Sequence, residues 1–496
     1  MISWIRAVQF VLVLPELREN AAKLENAATL NVFSTDNSLQ IDVGLEGRPF
    51  IVTLPAAQTL QNRESMRRVL SSLVLTCVLL CPLTASAQTG PSNCSVPTQN
   101  LYVRDVLNSY YYWYQYLPAN VSPTSYTSPE AYLEAVRYRP IDNTYSYITS
   151  AASNEAFYSD SQFIGYGLST QTTSTDMRVL QVFDGSPALE AGLERGDRIT
   201  QVNGQSVAAL VAAGTSGGAF GAAEIGVTSD IVFEKPSGER RTARMVKRLV
   251  TIPTVSLTRV VEADGRRVGY LFFRNFVRPS EAALNDAFAA LKAAGATELV
   301  LDLRYNGGGL VDIAVHLASL IGGTRTNGQV LLNYVHNDRV GPTLNKTTRF
   351  TNPEQALTLS RLVVITTRSS ASASELVINS LRPYMPVAVI GDTTYGKPVG
   401  QYGFTFCEKV LAAVSFSIKN VNNEGDFFDG IPPTCAAADD STHPLGDPAE
   451  GSFAEALSYL RTGTCSARSD VASRAMRRLV DDGPRVSAWQ ALVNAW

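Results

Sequence analysis

Residues 362–380 read LVVITTRSSASASELVINS. The opening LVVITT is a β-branched apolar run of the kind a buried strand needs. Ser372-Ala373-Ser374-Glu375 follows with the Ser-x-x-Glu spacing of a helix capping box, and an apolar run comes directly after it. The stretch therefore reads as strand, turn, helix. A serine at such a junction sits where helix N–H groups and the helix dipole favour negative charge, which suits a developing oxyanion. A capping box needs no catalysis, however, so the cluster alone leaves Ser372 with either role.

The same rhythm extends from about 251 to 465. RVGYLFFRNF (267–276) and ELVLDLR (298–304) read as strands, as does VAVIG (387–391), while VDIAVHLASLI (311–321) reads as a helix. SEAALNDAFAALKAAG (280–295) predicts a helix capped by Ser280, with Leu284, Phe288 and Leu291 on one face and Gly295 at its end. DLRYNGGGL (302–310) sets Gly307, Gly308 and Gly309 between a strand and a helix. It lacks the glycine and lysine spacing of a nucleotide loop, but glycines there let a backbone N–H approach a reacting oxygen closely. Upstream, 161–250 breaks into short strands with turn signals and one short helix between Pro187 and Gly192. Before that, NLYVRDVLNSYYYWYQYLP (100–118) spaces Val103, Leu107, Tyr110 and Tyr114 as a helix face closed by Pro118, opening a small helical unit over 97–160. Residues 466–496 form an Arg-rich appendix ending in ALVNAW, read as a peripheral helix or a disordered tail.

At 496 residues the chain is long enough for several domains, and a net charge of -3 gives no electrostatic footprint for nucleic acid. Met66-Arg67-Arg68, the apolar run VLSSLVLTCVLLCPLT and Ala85-Ser86-Ala87 together describe a secretory signal peptide over 66–87, cut after Ala87. Residues 1–65 then read as an upstream extension, with translation expected to begin at Met66. Left uncleaved, the run would anchor the chain in a membrane, the one condition under which a membrane is a partner. The cleaved form predicts a periplasmic or secreted protein. Cys94, Cys407, Cys435 and Cys465 remain after cleavage, and an oxidising compartment permits two disulfides, for which Cys407–Cys435 and Cys94–Cys465 are the favoured pairs. Their spacing does not suggest zinc, and His316, His336 and His443 fall in no recognisable metal spacing.

Two resemblances bring these pieces together. GSPALEAGLERGDRITQVNGQSV (185–207) is similar to a PDZ domain of the bacterial protease type, covering roughly 161–250. The resemblance implies that Gly165-Tyr166-Gly167-Leu168 receives a peptide's terminal carboxylate on backbone N–H groups while an exposed strand edge takes the peptide. Residues 251–465 resemble the core of the carboxy-terminal processing, or tail-specific, peptidases, with DLRYNGGG, SASASE and TTYGKPVGQ in the family's order. That implies an α/β, crotonase/ClpP-like catalytic core with an inserted β-rich PDZ domain and a small N-terminal helical unit. It implies Ser372 as nucleophile, Lys397 as general base and Gln401 as the third polar residue. It also implies an oxyanion hole from the N–H of Ala373 and of Gly308 or Gly309. FDGIPPTC (428–435) departs from the family's usual Gly-Ile-Pro-Asp, which bears on substrate preference more than on mechanism.

A lysine base must lose much of its ordinary basicity, about 3 pKa units and roughly 4 kcal/mol, which burial after VAVIG would supply. The expected activity is an exported serine endopeptidase acting on protein or peptide substrates whose apolar tails engage the PDZ domain, with no cofactor and no metal. The other reading is a non-catalytic peptide- or ligand-binding protein on the same scaffold. ALVNAW could itself occupy the PDZ groove or be trimmed by the enzyme.

Overall fold

The computed structural model describes residues 90–467 and Val493, together with the backbone of the strands Thr29–Thr35, Ser38–Leu45 and Arg48–Pro55. The signal segment at 66–87 lies outside the described residues, as does the appendix from 468 apart from Val493. Two compact units divide at Ala87. In the first, the three strands form an antiparallel meander. Among the described residues no helix is long and apolar enough to cross a membrane.

Outside the module at 161–250 and the strand pair that bounds it, the second unit is built on two sheets. The first runs in the spatial order Val255–Ala263, Arg266–Phe273, Glu298–Asp302, Leu362–Thr366, Val387–Gly391 and Cys435–Ala436. Its first pair is antiparallel and the remaining pairs are parallel. Because side chains alternate across a strand, each central strand supplies two cores. Leu271, Leu301, Val364 and Val389 face one side with the helices Ser280–Ala293, Val311–Gly322 and Ala373–Leu381. Tyr270, Val300, Val363 and Ala388 face the other, under Phe453, Ala456 and Leu460 of the helix Gly451–Thr462. Burial on both faces is why LVVITT and VAVIG carry no polar alternation.

The second sheet joins Thr347–Arg349, Val330–His336, Lys409–Lys419 and Val399–Phe406, and Tyr147–Ser150 pairs with Lys409–Lys419. The N-terminal helix Val96–Tyr110 packs Val103, Val106 and Leu107 against Phe406, Leu411 and Val414 of this sheet. The unit at 97–160 thus shares the sheet whose strand Val399–Phe406 begins just after Lys397. Its first helix stops at Tyr110, short of the predicted end at Pro118. The cause is tertiary: the Tyr112 N–H leaves the helix ladder and donates to Val414 O at 2.8 Å.

The chain enters and leaves the PDZ module through an antiparallel pair, Gln162–Gly165 with Arg248–Thr251. Within the module the path runs from Arg240–Val246 through Thr228–Glu234, Arg198–Val202 and Met177–Val182 to the edge strand Leu168–Thr172. Arg195 fastens the module to the core. It donates to Tyr305 OH at 2.9 Å and Asp439 Oδ1 at 2.9 Å, and to the carbonyls of Asp440 and His443.

Two expectations are corrected. Ser280 is the first helical residue, not the cap; Pro279 holds that place, and the Ser280 hydroxyl donates instead to Asn275 O at 2.8 Å. The disulfides are Cys94–Cys407 and Cys435–Cys465. Cys407 lies in the hairpin between Val399–Phe406 and Lys409–Lys419, beside the start of the N-terminal helix, whereas Cys435 is in the edge strand of the other sheet. The two sheets keep 407 and 435 apart.

At the carboxyl end of Glu298–Asp302, a fully buried Arg304 donates to Asp302, Asp439 and Glu450 at 2.8–3.0 Å. Asp302 also accepts Tyr270 OH at 2.6 Å. Removing the cation would leave Asp302 and Glu450 buried without a positive partner, while Asp439 keeps Arg195, so Arg304→Met is expected to cost roughly 3–5 kcal/mol, measured by denaturant unfolding. A loss under 1 kcal/mol would contradict this account.

Candidate active site

The strand Leu362–Thr366 ends beneath a tight turn, and Ser372 sits at its apex, directly before the helix Ala373–Leu381. Its backbone is at φ 55 and ψ -110, a conformation that non-glycine residues rarely adopt and that costs of order 1–3 kcal/mol. The neighbouring serines are pins. Ser370 donates to Leu303 O at 2.8 Å and Ser374 to Asn306 O at 3.0 Å, both fully buried, so the turn is tied on either side to the glycine-rich segment. The Ala371 N–H adds a third tie, to Asn306 O at 3.0 Å.

Lys397 lies between Val387–Gly391 and Val399–Phe406, and Nζ donates to Gln401 Oε1 at 2.7 Å. Gln401 is held in turn by donating to the carbonyls of Tyr145 and Ala412. Burial pushes the Lys397 amine down to about 8, against the opposing pull of Asp142 and Glu375. Tyr145 completes the enclosure. Its ring lies 6.0 Å from the ammonium, and its hydroxyl donates to Gly396 O at 2.5 Å.

Glu375 is fully buried and accepts four hydrogen bonds. Oε2 takes the N–H of Ser372 and of Lys397, each at 2.8 Å. Oε1 takes the N–H of Gly396 at 2.7 Å and the hydroxyl of Thr394 at 2.5 Å. Burial raises its pKa, and these four donors oppose that rise by favouring the anion. One carboxylate therefore holds the backbones of both Ser372 and Lys397. The capping-box spacing reveals its bond to Ser372; nothing in the local sequence reveals the other three.

The glycine-rich turn packs directly against this arrangement. A Cβ on Gly308 would stand 2.9 Å from Ser372 Cβ, and one on Gly309 would stand 2.1 Å from Phe276 O. Both positions have positive φ, so glycine is required twice over. The Gly308 N–H is engaged by Asn306 Oδ1 at 2.9 Å. The Phe276 N–H bonds Gly308 O and the Leu310 N–H bonds Phe276 O, which leaves the intervening Gly309 N–H outside that ladder. Ala373, as the first helical residue, has an N–H with no partner inside its helix.

Ser372, Ala373, Lys397, Gln401 and Gly309 all line one cavity of about 280 Å³. Leu310, Leu376, Phe416, Ile418 and Phe427 provide an apolar wall. Gly308 lies just behind that lining. Gly165, Tyr166, Gly167 and Leu168 are not part of it; they form the turn into the PDZ edge strand. The Tyr166 ring is buried in the module, with its hydroxyl on Ser229 Oγ at 2.8 Å, and all four residues of this turn are buried. No histidine lines the cavity: His316 bonds Asn285, His336 bonds Asn345 and Tyr402, and His443 bonds Asp440. Among the described residues, one cluster has metal-ligand residue types, Cys435, Glu455 and Cys465, and its cysteines form a disulfide.

A strained serine at a strand–helix junction, a buried lysine and the amides of Gly309 and Ala373 meet around one cavity, and comparison with known proteins sets this arrangement in context. Residues 267–436 match peptidase family S41, residues 98–147 match the peptidase S41 N-terminal domain and residues 178–213 match a PDZ domain. The first match places the segment 267–436 in peptidase family S41. It is 28% identical over 249 residues to the carboxyl-terminal-processing protease of Picosynechococcus sp., covering 48% of this chain and 55% of that one. It is also 28% identical over 234 residues to the chloroplastic C-terminal processing peptidase of Tetradesmus obliquus, covering 45% and 48%. The matched stretch spans about half the length of these curated relatives. A crystal structure of a Bacteroides fragilis protein assigned to the S41 proteases superposes with a TM-score of 0.59 at 26% identity, covering 73% of this chain and 97% of that one.

Two consequences of the backbone geometry are measurable. Ser372→Gly removes the positive-φ strain that Ser372→Ala retains, so the glycine variant is expected to melt no lower than the alanine variant despite glycine's greater unfolded-state entropy. Glu375→Gln turns a carboxylate accepting four donors into an amide with one accepting oxygen. Turnover of any Ser372-dependent reaction should fall by about 100-fold or more with little change in KM, as expected when reacting groups lose alignment.

Proposed function

We propose that this chain is an exported serine endopeptidase that uses Ser372 as nucleophile and Lys397 as general base, acting on proteins whose apolar C-terminal tails engage the PDZ module. The observation that carries the proposal is the convergence of Ser372, Lys397 and Gln401 on one cavity, with the Glu375 carboxylate bound at once to the Ser372 and Lys397 N–H groups. The match of 267–436 to peptidase family S41 supports the peptidase class. The segment at 66–87 and the two disulfides support export.

With its pKa near 8, roughly a tenth of Lys397 is neutral at pH 7, against well under a thousandth for an ordinary lysine. In the resting arrangement the described bond of Nζ goes to Gln401, which leaves the amine's lone pair for the serine proton. On substrate binding, the neutral amine removes the Ser372 Oγ proton as that oxygen attacks the peptide carbonyl. The carbonyl oxygen becomes an oxyanion held by the N–H groups of Gly309 and Ala373. Gly308 shapes the turn, its own N–H being engaged by Asn306. The protonated lysine then gives its proton to the leaving amine, and a water activated by Lys397 opens the acyl-enzyme. The apolar wall of Leu310, Leu376, Phe416, Ile418 and Phe427 favours a small or medium apolar side chain before the scissile bond. The position of Leu168–Thr172 at the end of the module sheet supports strand addition of a substrate tail beside the turn Gly165-Tyr166-Gly167-Leu168.

The sign of the pH dependence follows from the depressed lysine. The active form is neutral, so kcat/KM should rise with pH, with an apparent pKa near 8. Ser372→Ala and Lys397→Ala should each abolish cleavage of a tail-bearing reporter while remaining folded, and a fluorophosphonate should label Ser372 in the parent chain. Cleavage unaffected by either substitution would end the assignment. A chain that binds apolar tails but never labels at Ser372 would instead be the non-catalytic binder. Stability supplies a separate readout: because burial disfavours the Lys397 ammonium, Lys397→Met is expected to stabilise the fold at pH 7 by about 1–3 kcal/mol while removing activity.

A further inference from the structure

Val493 is the last residue along the chain that the structure describes, and it is 3% exposed. Its side chain sits in an apolar cluster with Phe157, Phe163, Phe183, Val250, Ile252 and Val277. These come from three different parts of the molecule. Phe157 belongs to the helix Ala151–Asp160 of the N-terminal unit, and Phe163 and Val250 belong to the strand pair that tethers the PDZ module. Phe183 follows the module strand Met177–Val182, and Val277 follows Phe276, the residue bridged to Gly309. The backbone of the same residue is also engaged: Arg274 Nη2 donates to Val493 O at 3.0 Å.

Arg274 is fully buried, and its other bonds show what this junction touches. Nη2 also donates to Ser169 Oγ at 3.2 Å, in the PDZ edge strand, and Nε to Gln181 Oε1 at 3.2 Å, in the strand next to it. Nη1 donates to the carbonyl of Tyr305, one residue ahead of Asn306 in the glycine-rich turn. One guanidinium therefore contacts the strand proposed to accept a substrate tail, the turn proposed to hold the oxyanion, and Val493.

We propose that this three-way junction is a binding subsite for an apolar residue of a polypeptide tail, and that the chain's own segment ALVNAW (491–496) occupies it through Val493 as a built-in competitor of substrate tails. The competition rests on the peptidase reading above; the subsite does not. The two features that hold Val493, an apolar side chain among aromatic rings and a backbone carbonyl on Arg274, are available to another apolar peptide that adopts the helical backbone Val493 has here. Tethering gives the internal segment an effective concentration of about millimolar order, so a free peptide at micromolar concentration meets a filled site.

The test uses full-length chains carrying Ser372→Ala, with and without Val493→Asp, titrated with a fluorescent peptide of residues 484–496. The chain bearing Val493→Asp should bind the peptide at least tenfold tighter than the chain retaining Val493, and a peptide that itself carries Val493→Asp should bind neither. Equal affinity for the two chains, or undiminished binding of the substituted peptide, overturns the subsite. If Val493→Asp lowers the melting temperature enough to compromise folding, Val493→Ala replaces it, with an expected gain of about threefold and equal affinity again overturning the proposal. In chains with Ser372 intact, Val493→Asp should lower KM for an apolar-tailed reporter several-fold with kcat little changed, and an unchanged KM overturns the competition. Should no chain cleave any reporter, the peptidase reading fails while the peptide titration still decides the subsite.

Discussion

Four hydrogen bonds converge on the Glu375 carboxylate, and they come from the two segments that must meet for Ser372 and Lys397 to share a cavity. The constraint is electrostatic as well as geometric. A buried carboxylate is tolerated only if its lone pairs are satisfied, and the donors are three backbone N–H groups and the Thr394 hydroxyl, all from the serine turn and the lysine loop. Satisfying the anion and assembling the site are thus one event. The anion also lies close enough to favour the ammonium form of Lys397, yet desolvation outweighs that attraction and the amine remains weakly basic.

The opposite wall of the cavity depends on a second buried ion cluster. Arg304, set among Asp302, Asp439 and Glu450, fixes the chain two residues before Asn306, whose side chain engages the Gly308 N–H. Arg195 reaches the same Asp439 from the PDZ module and touches Tyr305 as well. The position of the module and the shape of the glycine-rich turn are therefore recorded in one network of hydrogen bonds, and moving one requires the other's bonds to be remade.

Much of this was legible in the sequence because it is local. Strands buried on both faces, helices with one apolar stripe and a serine at a strand–helix junction all leave periodic or spacing signals, and the motif order placed Lys397 and Gln401 beside Ser372. What was not legible depends on distant partners. The N-terminal helix ends at Tyr110 because Tyr112 finds Val414, a pairing with no trace in the helix's own sequence. Cysteine pairing depends on which sheet edges lie together, so Cys407 joined Cys94 and not Cys435. Glu375 was legible as a cap and opaque as an anchor, since three of its donors lie about twenty residues away. Asn306 gave no signal at all, although its side chain distinguishes Gly308 from Gly309.

Gln401 takes its orientation from Tyr145, 256 positions earlier in the chain, and the Tyr145 ring helps to enclose the Lys397 ammonium. This contact separates completion of the polypeptide from completion of its chemistry. A chain in which the serine turn and lysine loop have formed, but the N-terminal unit has not docked on the second sheet, leaves the lysine exposed to water and restores its ordinary pKa of about 10.4. Such a chain would carry every reacting atom and still lack a base, so in the chemistry proposed for this site long-range topology sets when the lysine can act.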